Sequence, residues 1–279
     1  MTTPRACPYT QIPLKKGVAI GPLSTNGGQW TLSEQQAVLD DLEPAFWYNY
    51  RLTAEGVTTP NFIPMFTNRT QINDPEISAA ATVAAANLNI MLEYNEPDNT
   101  AITALECATD HDAIRGNADV IANGTTLGSI VTASDGSVGG SYFQDYLAAI
   151  TTALPEYYVI HSYGHSFTVV GTSISQILSR VTSYQTAFPG KDLWLTEFDL
   201  NDGLGGTPTD AQVKLLMNSV CQWLEATASV TNYAWWAALM TTAFETSFPN
   251  SHLYNHDGSI AAIGTEYRDQ CGKHPTIIL

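Results

Sequence analysis

The chain has 279 residues, a formal net charge of −16 and an isoelectric point near 4.5. A surface this acidic repels phosphate backbones and anionic lipid, which excludes nucleic acid and membranes as natural partners. Hydrophobic residues make up 44% of the sequence, enough for a sizeable core, while charged residues make up only 14%. With Ser, Thr, Asn, Gln and Tyr plentiful, that balance suits a neutral, hydroxyl-rich substrate.

No stretch approaches the roughly 20 consecutive apolar residues of a membrane span. The opening "MTTPRACPYT" has no apolar signal core, so either there is no signal peptide or the sequence starts after one. Residues 1–13 read as an N-terminal extension, and no linker or repeat divides residues 14–279. In chain order, strands are predicted at "KGVAIG" (16–21), "AFWYNY" (45–50), "NFIPMF" (61–66), "NIMLEYN" (89–95), "GSIVTAS" (128–134), "YYVIHSYG" (157–164), "DLWLTEFDL" (192–200) and "NYAWWAAL" (232–239). Helical patterns lie between several of them. "DPEISAAATVAAANL" carries an Asp cap and an early proline, and "TSISQILSRVTSYQTAF" and "TPTDAQVKLLMNSVCQWLEAT" place apolar residues at helical spacing. Eight strands with intervening helices predict an α/β fold, a closed (β/α)8 TIM barrel in a single domain over residues 1–279. The rival open doubly wound sheet lacks its Gly-rich phosphate loop after the first strand.

Cys7, Cys107, Cys221 and Cys271 are too widely spaced for a zinc motif. Two disulfides are possible in an oxidising compartment, with three connectivities open, against the alternative of four buried free thiols. The sequons "NRT" at Asn68 and "NGT" at Asn123 are candidate glycosylation sites. Together these features favour a secreted, extracellular or cell-wall protein.

Chemistry in such a barrel gathers at the C-terminal ends of strands. Two acids stand there. In "NIMLEYNEP" the strand runs directly into Asn95, Glu96 and Pro97, and the proline is expected to hold Glu96 extended. Simple alternation groups Leu92, Tyr94 and Glu96 on one face and sends Glu93 toward the helices as a structural acid. In "DLWLTEFDL", alternation groups Leu193, Leu195, Glu197 and Asp199. Acids inside such apolar strands are costly to bury unless used or satisfied. Glu96 and Glu197 lie 101 positions apart (197 minus 96), so only the fold can join them.

"LEYNEPD" and "WLTEF", supported by "FWYNY", "FIPMF", "VIHSYG" and "YAWW", resemble the signatures of glycoside hydrolase family 128 across roughly residues 14–270. The resemblance implies a (β/α)8 retaining β-1,3-glucanase with Glu96 as acid/base and Glu197 as nucleophile. It places Asn95 near the sugar's 2-hydroxyl and matches Asn49 to the Asn of the family's second strand. Tyr163 would donate to the nucleophile, and His161 would orient substrate or a carboxylate. Trp47, Tyr48, Trp235 and Trp236 are candidate stacking platforms, although the last two point opposite ways so that only one can serve. The sequence departs from the family at "GVAIGP", at Phe66–Thr67, at Ser162, at Glu93 and at Asp199. Asp199 would hinder ionisation of Glu197 unless tied to a donor or turned away.

The expected protein is a monomer that hydrolyses β-glucan polysaccharide or oligosaccharide by double displacement, with no cofactor and no metal. The alternatives are a carbohydrate-binding cell-wall protein of little or no turnover, and a retaining hydrolase for another β-glycan. A metal-dependent hydrolase ranks behind both.

Overall fold

The computed structural model describes residues 15–21, 30–133, 140–200, 207–239, 250–255 and 257–272. The extension at 1–13, with Cys7, lies outside them. Among the described residues there are seven strands: β1 (Lys16–Ala19), β2 (Trp47–Tyr48), β3 (Ile90–Leu92), β4 (Thr126–Gly128), β5 (Tyr157–Gly164), β6 (Asp192–Leu200) and β7 (Val230–Trp235). They pair in parallel in the order β2-β1-β7-β6-β5-β4-β3.

The predicted strand at 61–66 is the piece between the two edges. Phe62 bridges Trp47 of β2, and Met65 bridges Leu92 of β3. The Ile63 N–H donates to the Trp47 carbonyl at 2.9 Å, and the Leu92 N–H donates to the Pro64 carbonyl at 2.9 Å. Pro64 has no N–H to give, so this stave closes the ring through single bridges instead of a continuous ladder. The fold is thus the predicted (β/α)8 barrel in one domain.

The helices are α1 (Leu32–Leu42), α2 (Asp74–Ala85), α3 (Ala104–Gly116), α4 (Ala118–Asn123), α5 (Gly140–Ala149), α6 (Val170–Ala187), α7 (Asp210–Ala226) and α8 (Ala262–Gln270). Residues 49–60, after β2, form loop without a helix, whereas β3 is followed by both α3 and α4. Thr31, Thr103 and Thr209 each close a capping box, with Glu34, Glu106 and Gln212, at the starts of α1, α3 and α7. The cap of α2 is Asn73, not the predicted Asp74: its side chain accepts the Glu76 N–H, and Asp74 is already helical. At the other end of α7, the Lys15 ammonium donates to the carbonyls of Leu224, Glu225 and Thr227 at 3.0, 3.2 and 3.0 Å.

Burial divides into two layers. One cluster contains no helix residue, gathers residues of the strands and the chain beside them, among them Phe46, Tyr48, Met65, Leu92, Val159 and Trp194, and fills the barrel. The larger cluster joins the outward strand faces to the helices through Leu39, Ile77, Tyr158, Leu193 and Leu216, among others. Gly17 lets the Phe46 ring enter the interior, since a Cβ there would stand 2.1 Å from Phe46 Cε1. Cys221 of α7 is disulfide-bonded to Cys271 just past α8, which selects one pair from the connectivities left open. Cys107 is a buried free thiol, its sulfur 3.4 Å from the Tyr142 hydroxyl.

Glu93 faces the helices, as alternation predicts, and is fully satisfied there. Its Oε1 lies 2.5 Å from His111 Nδ1, and its Oε2 accepts the Tyr146 hydroxyl at 2.8 Å. His111 Nε2 lies 2.8 Å from the Ala153 carbonyl, so both ring nitrogens face acceptors and the doubly protonated imidazolium fits the site. Burial opposes that charge, but Glu93 and the Ala153 carbonyl raise the His111 pKa above its ordinary value. A raised histidine pKa contributes stability below about pH 6.5 and loses it as pH rises through the folded-state value. Thermal unfolding should therefore show the protein weakening as pH rises from about 6.5 through the raised folded-state value. Replacing His111 by Phe should remove that slope and destabilise by about 3–5 kcal/mol, because Glu93 is left buried without its cation.

Candidate active site

β3 ends at Leu92, and residues 93–97 break the predicted alternation. Tyr94 turns outward with Glu93, donating its hydroxyl to Asp110 Oδ2 of α3 at 2.8 Å. Asn95 pairs with Val131 beyond β4. Glu96 is not extended: φ 48° and ψ 52° place it in the left-handed region. Proline at 97 excludes the right-handed helical basin for Glu96, and local hydrogen bonds select the left-handed one. The Glu96 N–H donates to the Val131 carbonyl at 2.8 Å, and its carbonyl accepts the Asn99 N–H at 3.1 Å. A non-glycine residue held there is a mark of functional sites. The turn throws the Glu96 carboxyl over the barrel mouth, where Asn99 Nδ2 donates to its Oε2 at 3.2 Å.

Glu197 reaches the mouth by a different device. On β6, Leu193 and Leu195 pack outward against the helices while Trp194 points inward. Plain alternation would send Glu197 outward too. Instead Ile160 pairs with Leu195 and the next residue, His161, pairs with Glu197; on the other side Tyr233 pairs with Leu195 and Trp235 with Phe198. Thr196 is therefore a one-residue bulge. Beyond it Phe198 and Leu200 face the helices, and Glu197 faces the interior. The predicted grouping of Leu193 and Leu195 with Glu197 is overturned by that extra residue.

His161 stands between the two acids. Its Nδ1 lies 2.9 Å from Glu96 Oε1, and its Nε2 lies 3.3 Å from Glu197 Oε1 without hydrogen-bond alignment. One oxygen of each glutamate and one His161 nitrogen all fall within 4.8 Å of one another. Such a donor set could also hold one divalent cation, with two carboxylates and an imidazole as ligands. Tyr163 donates its hydroxyl to Glu197 Oε2, and Tyr50 donates to Oε1 at 2.8 Å. Burial raises the Glu197 pKa most, and the negative charge of Glu96 adds to it; His161, Tyr163 and Tyr50 pull it back. The Glu96 side chain keeps 24% of its surface exposed against 4% for Glu197, so one acid is open to solvent and the other sealed.

Of the remaining predicted residues, Trp236 is half-buried and meets the Tyr163 ring edge-on at 6.1 Å. It is the tryptophan at the site. Trp235 is wholly buried, its indole N–H donating to the Ser251 carbonyl at 2.8 Å. Trp47 is likewise buried, packs on Phe62, and donates to the Thr59 carbonyl at 3.0 Å. Both face the helix layer, so neither offers a ring to a sugar; their odd positions relative to Tyr48 and Trp236 decide this. Tyr48 is also without exposed surface and donates to the Thr196 carbonyl at 2.7 Å. Asn49 is buried and spends its amide on the loop after β2, donating to the Thr53 carbonyl at 3.1 Å. Asn95 sits half-buried beside Glu96, and its carboxamide oxygen is buried without a partner. Sequence reasoning misses Tyr50 and Asn99. Asn99 lies three residues past Glu96, the spacing of a turn, but Tyr50 reads simply as the end of an aromatic run.

Two carboxylates converging on one imidazole at the C-terminal mouth of a (β/α)8 barrel define the architecture of a barrel glycosidase. The chain belongs to the glycosyl hydrolase catalytic core family, whose profile matches residues 25–267. It is similar to alkali-sensitive linkage protein 1 of Schizosaccharomyces pombe, 22% identical over 193 residues that cover 68% of this chain and 34% of that protein. The chain thus spans about a third of that relative's length. Among solved structures, a family 128 subgroup I endo-β-1,3-glucanase of Amycolatopsis mediterranei, in complex with laminaritriose, superposes with a TM-score of 0.73 at 23% identity, covering 91% of this chain and 98% of that one. A subgroup VI exo-β-1,3-glucanase of Aureobasidium namibiae gives 0.73 at 16% identity, covering 95% and 100%.

Asp199, two residues beyond Glu197, is wholly buried. Its Oδ1 accepts the Leu200 N–H at 2.6 Å, while Oδ2 has no hydrogen-bonded partner. The Ser251 hydroxyl lies near enough to favour the anion somewhat, yet it too lacks a hydrogen-bonded partner. Burial dominates and lifts the Asp199 pKa to about 7. The proton makes Asp199 neutral below that pH, which relieves Glu197 of a third negative charge. A raised carboxyl pKa favours the fold below about pH 4 and loses that contribution as pH rises through 7. Asp199→Asn, which cannot ionise, should therefore gain melting temperature over the parent as pH is raised from 4 to 8. A constant difference across that range would contradict the assignment.

Proposed function

We propose that this chain is a retaining glycoside hydrolase of β-1,3-glucan or its oligosaccharides, with Glu96 as acid/base and Glu197 as nucleophile. The observation that carries the reading is the close approach of the two carboxylates, with an oxygen of each within 4.8 Å of the same imidazole nitrogen. Retaining pairs lie about 5–5.5 Å apart, whereas inverting pairs leave about 6.5–9.5 Å for a water. The substrate class is supported by the neighbours crystallised with laminaritriose and with laminarihexaose.

The roles follow from the surroundings. Glu96 is open to solvent and bonded to His161 and Asn99, so a departing sugar oxygen can reach its proton. Glu197 is sealed and fixed from two sides by Tyr50 and Tyr163, as in-line attack at one anomeric carbon requires. After the glycosyl-enzyme forms, Glu96 draws the proton from the incoming water. Trp236 supplies the apolar face for the cleaved sugar, and Asn95 a polar contact at its side. Secretion agrees with the Cys221–Cys271 disulfide and with the exposed sequon residues Asn68 and Asn123.

Glu197→Gln should lower hydrolysis of laminari-oligosaccharides by several orders of magnitude and leave their binding by calorimetry largely intact. Because the Glu197 pKa is raised, turnover in the parent should rise with pH through a midpoint above the ordinary carboxylate range, reported as a property of the coupled pair. Binding without release of reducing sugar by the parent itself would instead make the chain a glycan binder. Turnover that vanishes with a chelator and returns with a divalent metal would assign Glu96, His161 and Glu197 to an ion.

A further inference from the structure

The bulge at Thr196 turns Glu197 into the barrel, and a single side chain pins it. The Tyr48 hydroxyl, wholly buried inside the barrel, donates to the Thr196 carbonyl at 2.7 Å from across the ring. The same tyrosine supports a second contact to the acid. Its ring meets Tyr50 edge-on at 5.1 Å, and Tyr50 in turn donates to Glu197 Oε1 at 2.8 Å. Tyr48 and Tyr50 are two residues apart at the exit of β2, and Tyr50 has a left-handed backbone, φ 58°. One side chain thus braces both the backbone on which Glu197 rides and a donor that holds its oxygen.

We propose that Tyr48, buried and out of reach of any sugar, is a positioning residue that sets the orientation and hydrogen bonding of Glu197 by pinning the Thr196 bulge. The alternative at this position, a β6 without the bulge, restores plain alternation and sends the Glu197 side chain into the helix layer. A single phenol therefore stands between an inward and an outward acid. Removing it leaves the Thr196 carbonyl buried without that donor, which a relaxed strand avoids by moving. The burial that keeps Tyr48 protonated also keeps it a donor at every working pH.

The proposal rests on the glycosidase reading for its kinetics but not for its structural readout. In Tyr48→Phe, kcat on laminari-oligosaccharides should fall on the order of 100-fold with KM little changed, as for a misplaced reacting group. Independently, the Glu197 carboxylate band, isolated by infrared difference against Glu197→Gln in each background, should titrate about one pH unit higher, the size of one lost hydrogen bond to a charged group. Tyr50→Phe should move that midpoint the same way. A merely structural Tyr48 would lower melting temperature and leave the midpoint and the kcat/KM split unmoved. That result overturns the proposal. Wild type without glucanase activity but with a shifted midpoint in Tyr48→Phe would overturn the substrate reading alone.

Discussion

The structure is organised around one awkward requirement, a carboxylate sealed from water at the mouth of an apolar barrel. Burying an isolated charge in such surroundings is prohibitive, and Glu197 has only 4% of its side chain exposed. Two tyrosine hydroxyls point at its oxygens and an imidazole stands 3.3 Å away. His161 and Tyr163 come from β5, the neighbour of β6, but Tyr50 comes from the loop after β2, three strands away, so the sheet must curl before that donor arrives. The acid and the curl of the barrel are one problem.

Closure in turn depends on the poorest stave. Residues 61–66 pair with both edges through isolated bridges around Pro64, and the loop preceding them carries no helix. The partners missing from the ladder are supplied by side chains. Asn87 Oδ1 accepts the Phe62 N–H at 3.1 Å, and Asn49 ties down the loop by way of Thr53. Tyr50, which grips Glu197, stands at the head of that loop. Weak pairing there is tolerable because polar side chains, rather than ladder bonds, fix the geometry where the site needs it.

Much of this architecture is legible in the sequence, and the failures share a cause. Eight staves, the outward turn of Glu93 and the meeting of Glu96 with Glu197 follow from hydrophobic runs, period-two alternation and residue type. Alternation cannot supply the Thr196 bulge, since an inserted residue looks like any other in an apolar strand. Nor can it supply the left-handed turn at Glu96, where the proline at 97 predicts extended backbone. Both departures fall at the two acids themselves, and it is at such sites that local regularity is expected to break. The aromatics fail differently. Trp47 and Trp235 have the residue type that suits sugar stacking, but type does not tell which face of a strand points inward.

Three buried acids in the same barrel show three ways of holding a carboxylate. Glu93 has a buried cation against one oxygen and a hydroxyl on the other, and nothing about it is open to change. Asp199 has one oxygen bonded and one orphaned, with a pKa near 7, so a proton completes what the protein does not. Glu197 lies between these. It has donors on both oxygens but shares its surroundings with a second acid, whose charge works against its own. Only this last arrangement couples its ionisation to another group that solvent, and hence a sugar, can reach. Two coupled carboxyls share one proton so that one stays charged while the other is neutral, and neither a satisfied acid nor an orphaned one has such a partner.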